Sequence, residues 1–350
     1  MFKFLSFILA SLFYMLANES GMAGLRGDQV DAYRKDMYKF EREGSREKPT
    51  MYDKIFKVVS GKTVSGAGTK ETQQLSAGPL TRHTTEGQDI IFKSPVQGWT
   101  TYCQYHTYSD GLTFTPEAIE DTIKLGNMLN DLAKTWGIEV RVSKETLGSG
   151  AFNNGGDLLG SYEFNGSYTG ETDPSGNLLY DSKPLFNLTG NARTTKGGST
   201  YYNSVAALTV TPANFETIYN LATATNNRDE QDRVERNEVD TILTRVGADY
   251  FSAWKIVNSD DLPGGQLNDK NPYKGLVKNV YSWDYLDESA FYVGKAQDPR
   301  FQFHERLAPI IRFFRDEDTA GYKASIRTRF GLHFRVGAWK AWTRGGGTSA

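Results

Sequence analysis

The chain has 350 residues, 38% hydrophobic, 23% charged and 13% aromatic, with a formal net charge of -2. That is enough chain to bury one large core or two modest ones, and the near-zero charge excludes a global basic field for holding nucleic acid. A single cysteine, Cys103, excludes an internal disulfide and any Cys-rich zinc site and suits a buried inert thiol.

Residues 1–17 hold one lysine and an apolar run of roughly 13 residues, the dimensions of a signal peptide rather than of a membrane span. A small-x-small cleavage site is missing, since Met15 stands two places before Ala17. Residues 1–21 therefore read as a leader-like extension or a misassigned start ahead of Met22. From 23 to 57 charge dominates, with Tyr33, Tyr38, Phe40, Tyr52 and Phe56 scattered through it. Those aromatics are too sparse for a core, so the segment reads as a solvated helix or tail.

Residues 60–95 are rich in Gly, Thr, Ser and Gln between strand-like runs at 55–59 and 89–92, which predicts a long β-hairpin with a polar tip. A loop of that length serves something outside its own domain. Gly61-Lys62-Thr63 is not a phosphate-binding loop, because Phe56 stands where the first glycine is required. Alternation over 99–114 predicts a half-buried strand. Thr115 and Pro116 then open a helix over 116–136, with Ile119, Ile123, Met128, Leu129, Leu132 and Trp136 at helical spacing and Gly137 as its stop. A strand is expected at 138–142 and a Gly/Asn-rich crossing between domains at 148–157.

Thr211-Pro212 opens a second capped helix carrying Phe215, Ile218, Tyr219, Leu221 and Ala222. The mixed charges at 226–237 read as a solvated loop or helix face. A strand at 239–246, a helix at 248–257 with Tyr250, Phe251, Trp254 and Ile256, a polar loop at 258–271 and two more strands then make a β-α-loop-β-β unit. Residues 300–342 predict a long antiparallel pair turning at 316–321, with Phe301, Phe303, Leu307, Ile310, Phe313 and Phe314 facing Ile326, Phe330, Leu332, Phe334, Val336 and Trp339. The glycines from 345 onward read as a frayed tail.

Chemistry is hard to find. His83, His106, His304 and His333 fall on separate strands or loops without metal-ligand spacing, and read as surface or sheet residues. Asp260-Asp261 and Asp316-Glu317-Asp318 are turn carboxylates, and no nucleophile elbow or Cys/His constellation occurs. No catalytic residue, cofactor or metal is expected.

The order of elements, with Asn271-Pro-Tyr-Lys-Gly275 leading into a strand and Leu286-Asp287 before Phe291-Tyr292, resembles the axial domain of tailed-phage major capsid proteins. The similarity is greatest to the Mu-type head subunits, whose Asp-Gly-Lys-Pro-Leu-Phe segment resembles residues 181–186, with Ser182 in place of the glycine and a histidine often found downstream absent. The resemblance implies an α+β Hong Kong 97-type capsid fold: an N-terminal arm at 22–59, an extended loop at 60–95, a peripheral domain at 96–157 with its spine helix at 116–136, an axial domain at 158–298, peripheral return strands at 299–344 and a flexible tail at 345–350. Tyr33, Tyr38, Phe40, Lys62, Lys70 and Arg82 would then contact neighbouring subunits, while Ile119, Ile123, Leu129, Leu132 and Trp136 form the core of the spine helix.

The implied partners are copies of the same chain in hexamers and pentamers, a scaffold, a portal, a decoration protein and packaged DNA touched non-specifically on the inner face, with no membrane. The implied place is the virion, assembled in the host cytoplasm. Two other functions stay open: an encapsulin-type shell around protein cargo, and an exported β-rich binding or outer-membrane protein if the leader is real. Against a barrel stand the two capped helices and an end in Gly-Gly-Gly-Thr-Ser-Ala.

Overall fold

The computed structural model describes residues 27–60, 68–75, 96–115, 125–153, 155, 161–162, 168–169, 183–265, 269–286, 290–315 and 321–346. Helix α1 (Gly27–Arg46) is followed by a single turn, α2 (Tyr52–Ile55), and strand β1 (Phe56–Ser60). Strands β2 (Gly68–Leu75) and β3 (Val96–Gln104) pair antiparallel, then come β4 (His106–Phe114) and the long helix α3 (Leu125–Asn153). Two small pairs follow, β5 (Ser161–Tyr162) with β6 (Tyr168–Thr169) and β7 (Arg193–Thr194) with β8 (Thr200–Tyr201). Next are β9 (Ser204–Val205), α4 (Pro212–Asn220), β10 (Thr241–Arg245), α5 (Ala248–Asn258), β11 (Asn279–Trp283) and β12 (Ala290–Gly294). Strands β13 (Asp298–Arg315), β14 (Tyr322–Phe334) and β15 (Trp342–Gly346) complete this α+β set.

Two compact units emerge. The smaller draws on the described residues of Met1–Lys48, Ser109–Glu139 and Pro309–Arg327, the larger on those of Pro49–Tyr108, Val140–Ala308 and Thr328–Ala350.

In the smaller unit α1 packs on the first half of α3. Met37, Glu41 and Gly44 line the buried side of α1, and Leu129, Ala133 and Trp136 that of α3, each at helical spacing. Gly137 does not end α3. A Cβ there would lie 2.1 Å from the Glu41 carbonyl oxygen and 2.8 Å from the Ser45 nitrogen, and one on Gly44 would lie 2.1 Å from the Lys134 carbonyl oxygen. The two glycines let the helix backbones touch, so the expected stop is a crossing point. The strand expected at 138–142 is helix as well: local β propensity in Ile138-Glu-Val-Arg-Val142 yields to packing. At 29 residues α3 is about 43 Å long. The expected helix start at 116, with Ile119 and Ile123, lies outside the described residues.

The larger unit holds a five-stranded sheet in the order β11-β10-β12-β15-β9. β10 and β11 run parallel with α5 as their crossover, while β12 lies antiparallel to both β10 and β15. Side chains alternate between faces: Ile242, Phe291 and Val293 pack with Phe215 and Ile218 of α4 and Ala253, Ile256 and Val257 of α5. Leu243, Tyr292 and Trp342 face a second cluster around Phe152, whose ring lies 4.9 Å from Tyr292, 5.7 Å from Phe301 and 5.6 Å from Trp342. Thr211 caps α4 as expected, its hydroxyl accepting from the Asn214 N–H.

The tail expected from 345 onward begins instead as sheet. Gly345 pairs with Phe291, and a Cβ on it would lie 2.5 Å from that ring and 2.9 Å from Ile218, so glycine is needed for β15 to pass beneath. The hairpin also differs from expectation. Residues 56–60 pair parallel with β13, and the described hairpin strands are β2 and β3, so it extends to Gln104 rather than ending at 95. β13 and β14 are neighbours in a second sheet ordered β1-β13-β14-β4.

Candidate assembly elements and a polar cleft

Each expected contact residue has a definite place or falls outside the described chain. Tyr33 and Tyr38 on α1 face their own unit: the Tyr33 ring lies edge-on 6.4 Å from Phe313, and the Tyr38 hydroxyl accepts from the Ile311 N–H at 3.0 Å. Phe40 is half-buried beneath the Lys39 ammonium, 5.8 Å from its ring centre. Lys35, Lys39, Arg42 and Arg46 recur three or four residues apart along one exposed groove of α1. Lys70 lies in β2 opposite Tyr102, while Lys62 and Arg82 lie outside the described residues. Leu129 and Trp136 are buried and Leu132 half-buried on α3, and the Trp136 indole donates to Asp110 at 2.7 Å.

The Asn-Pro-Tyr-Lys-Gly motif has a structural explanation. The Asn271 amide donates to the Ile256 and Ser259 carbonyls at 2.7 and 2.9 Å, and its oxygen accepts from the Tyr273 N–H at 3.0 Å. Gly275, at φ +72°, donates its N–H to Val257. The motif therefore closes the end of α5 and aims the chain into β11.

A polar cleft of about 560 Å³ in the larger unit brings together Glu71, Thr101, Glu230, Arg300, Arg335 and Lys340. Its ionisable groups are matched to one another. Arg335 forms a forked ion pair with Glu71, one arm at 2.7 Å, which lowers the Glu71 pKa. Arg233 bonds Asp229 at 2.7 Å, and Arg300 bonds Asp298 at 2.8 Å. Lys340 is buried, with its ammonium on the Arg228 carbonyl and 3.3 Å from Glu235, and burial pushes its pKa down. Among the described residues the cleft's charged side chains are held by one another and by nearby backbone, and its one hydroxyl beside an imidazole, Thr101 at 3.2 Å from His333 Nε2, also donates to the Glu71 carbonyl.

Two of the histidines are not surface residues. His304 and His333 are buried with ring centroids 4.9 Å apart, against Thr101 and Tyr105 of the hairpin strand and its exit. His333 lies in β14 and Arg335 just past its end. The hairpin covers His333, which no local pattern announces. Among the described residues no group of three or more His, Cys, Asp or Glu is placed to hold a metal ion, and no helix is long and apolar enough to cross a membrane.

No family model and no curated protein matches the chain. Among solved structures it is similar to the procapsid of bacteriophage JBD30, at 11% identity over 91% of this chain and 75% of that one, with a TM-score of 0.40. It is also similar to the capsid of Myoviridae phage XM1, at 10% identity over 83% and 89% of the two chains, with a TM-score of 0.46. A virus-like particle from Pyrococcus furiosus is similar at 9% identity over 89% and 98%, with a TM-score of 0.45.

Proposed function

We propose that this chain is the major capsid protein of a tailed double-stranded DNA phage, assembling through hexamers and pentamers into an icosahedral head around the genome. The carrying observation is where its large apolar side chains lie. Phe251 and Trp254 on α5 are 62% and 50% exposed, with Val246 and Leu276 exposed in the flanking segments and Ile310 and Phe314 exposed on β13. Aromatic surface of this kind marks protein contact sites. The polar cleft, by contrast, holds charges already satisfied within the chain, which favours a structural over a catalytic role. The element order, α1, hairpin, long α3, flanked five-stranded sheet and long strand pair, agrees with the order the sequence resemblance implies.

In a shell each subunit offers one surface and receives another, and closure follows from the rotation between neighbours. Many weak contacts then add through effective concentration. The chain would reside in the virion, having assembled in the host cytoplasm, with a scaffold, a portal and a decoration protein as further partners and packaged DNA against its inner face.

The test is sedimentation and negative-stain microscopy of the purified chain. Closed particles are expected from wild type, and a folded chain that forms none from the Phe251→Ser/Trp254→Ser variant. A wild-type chain that stays monomeric at every concentration and salt tested refutes the proposal. Particles that hold a protein cargo and exclude DNA would favour the encapsulin-type shell instead.

A further inference from the structure

The base of the β2–β3 hairpin meets β13 and β14 through His304 and His333, 4% and 1% exposed. The Thr101 hydroxyl donates to the Glu71 carbonyl at 3.4 Å, so its oxygen accepts from His333 Nε2 at 3.2 Å. That tautomer leaves His333 Nδ1 a bare buried acceptor with no hydrogen-bond partner among the described residues. On His304, Gln302 Oε1 takes the Nε2 proton at 2.7 Å, so Nδ1 accepts from the Tyr105 hydroxyl at 3.0 Å. Tyr105 in turn accepts from Thr69 of β2. Both rings are neutral in this network, and each is tied to the hairpin or its exit by one hydrogen bond.

The charged groups around the pair come from several elements. Glu71 on β2 favours a proton on either ring, but its carboxylate is engaged by Arg335, which opposes one. Arg329 of β14 adds a positive charge near Tyr105, donating to its carbonyl at 3.4 Å. β1 places only Val59 opposite His304. His304 also opposes a proton on His333.

We propose that His304 and His333 form an acid-operated latch, in which protonation of the pair frees the hairpin from β13 and β14 while the five-stranded sheet stays folded. Burial holds both rings neutral well into acid, His304 down to about 4 and His333 to about 3. Once wetted, each ring takes its proton near pH 6.5. Protons are therefore gained on opening, and opening becomes about thirtyfold easier at pH 5 than at neutral pH for each ring released. The latch is a property of the single chain and holds or fails independently of shell assembly.

Hydrogen–deuterium exchange of the full chain from pH 7.5 to 5.0, corrected for intrinsic rates, tests it. Protection at 96–104 should fall at least about thirtyfold, while β10 and β12 keep theirs, and His304→Gln/His333→Gln should hold hairpin protection flat with pH. A flat wild-type profile, an equal fall in β10 and β12, or an undiminished fall in a folded double variant overturns the latch. Should the double variant fail to fold, the wild-type series decides: a loss of about one decade per ring released, and so about one to two decades, between pH 6 and 5, confined to the hairpin, supports the latch, and any other profile overturns it.

Discussion

Replacing Gly137 by alanine separates two readings of that residue. Within a helix the change should stabilise, by about 1 kcal/mol of intrinsic propensity. In this structure the added carbon would lie 2.1 Å from the Glu41 carbonyl oxygen, which is backbone and cannot swing aside. The helices must part by roughly 1 Å or more to restore ordinary contact. Overpacking of that order costs about 1–3 kcal/mol, and the separation also loosens Met37, fully buried between them. A net loss of about 1.5 kcal/mol is expected, seen as a roughly tenfold fall in exchange protection along α1. Gly44→Ala should do the same, and the pair should be less than additive because one separation relieves both contacts. Gly148→Ala is the control, since its carbon would meet only ring atoms and a side-chain carbon at 3.0–3.3 Å. If Gly137→Ala raises α1 protection, the helix crossing is wrong.

Other expectations follow from the same geometry. Phe152→Ala removes the ring at the centre of the larger unit's aromatic cluster, and should cost about 3–5 kcal/mol, read as a drop in the denaturation midpoint with α1 protection unchanged. Deletion of 64–73 would remove Glu71 and most of β2, so the cleaner test of the hairpin replaces 77–94 by a short Gly/Ser turn. That chain should fold and fail to form particles, and normal particles would refute an assembly role for the replaced segment. Because burial lowers the folded pKa of His304 and His333, their contribution to stability is complete above about pH 6.5 and is lost as pH falls, by about 2 kcal/mol per ring at pH 5. Glu145, whose pKa burial raises, has the opposite sign and cannot account for acid lability in a denaturation series.

Much of the fold was legible in the chain because its signals are local. Thr211-Pro212 is a helix start wherever it occurs before an apolar periodicity, and α4 begins there with Phe215 and Ile218 buried. The β10-α5-β11-β12 unit was readable because apolar strands and a capped loop follow one another in register. Exposure of Phe251 and Trp254 was not readable, since periodicity shows that a face is apolar without showing what lies against it.

What the residue order determined by itself was the kind and succession of elements, because capping, propensity and alternation act within a few residues. What only the tertiary structure decided were contacts between segments far apart in the chain. Gly137 is a crossing rather than an end because α1 arrives there, Gly345 is strand because Phe291 lies over it, and His333 is buried because the hairpin returns across its face. Each depends on a neighbour more than fifty positions away, and burial by such a neighbour leaves no periodic trace in the residues it covers.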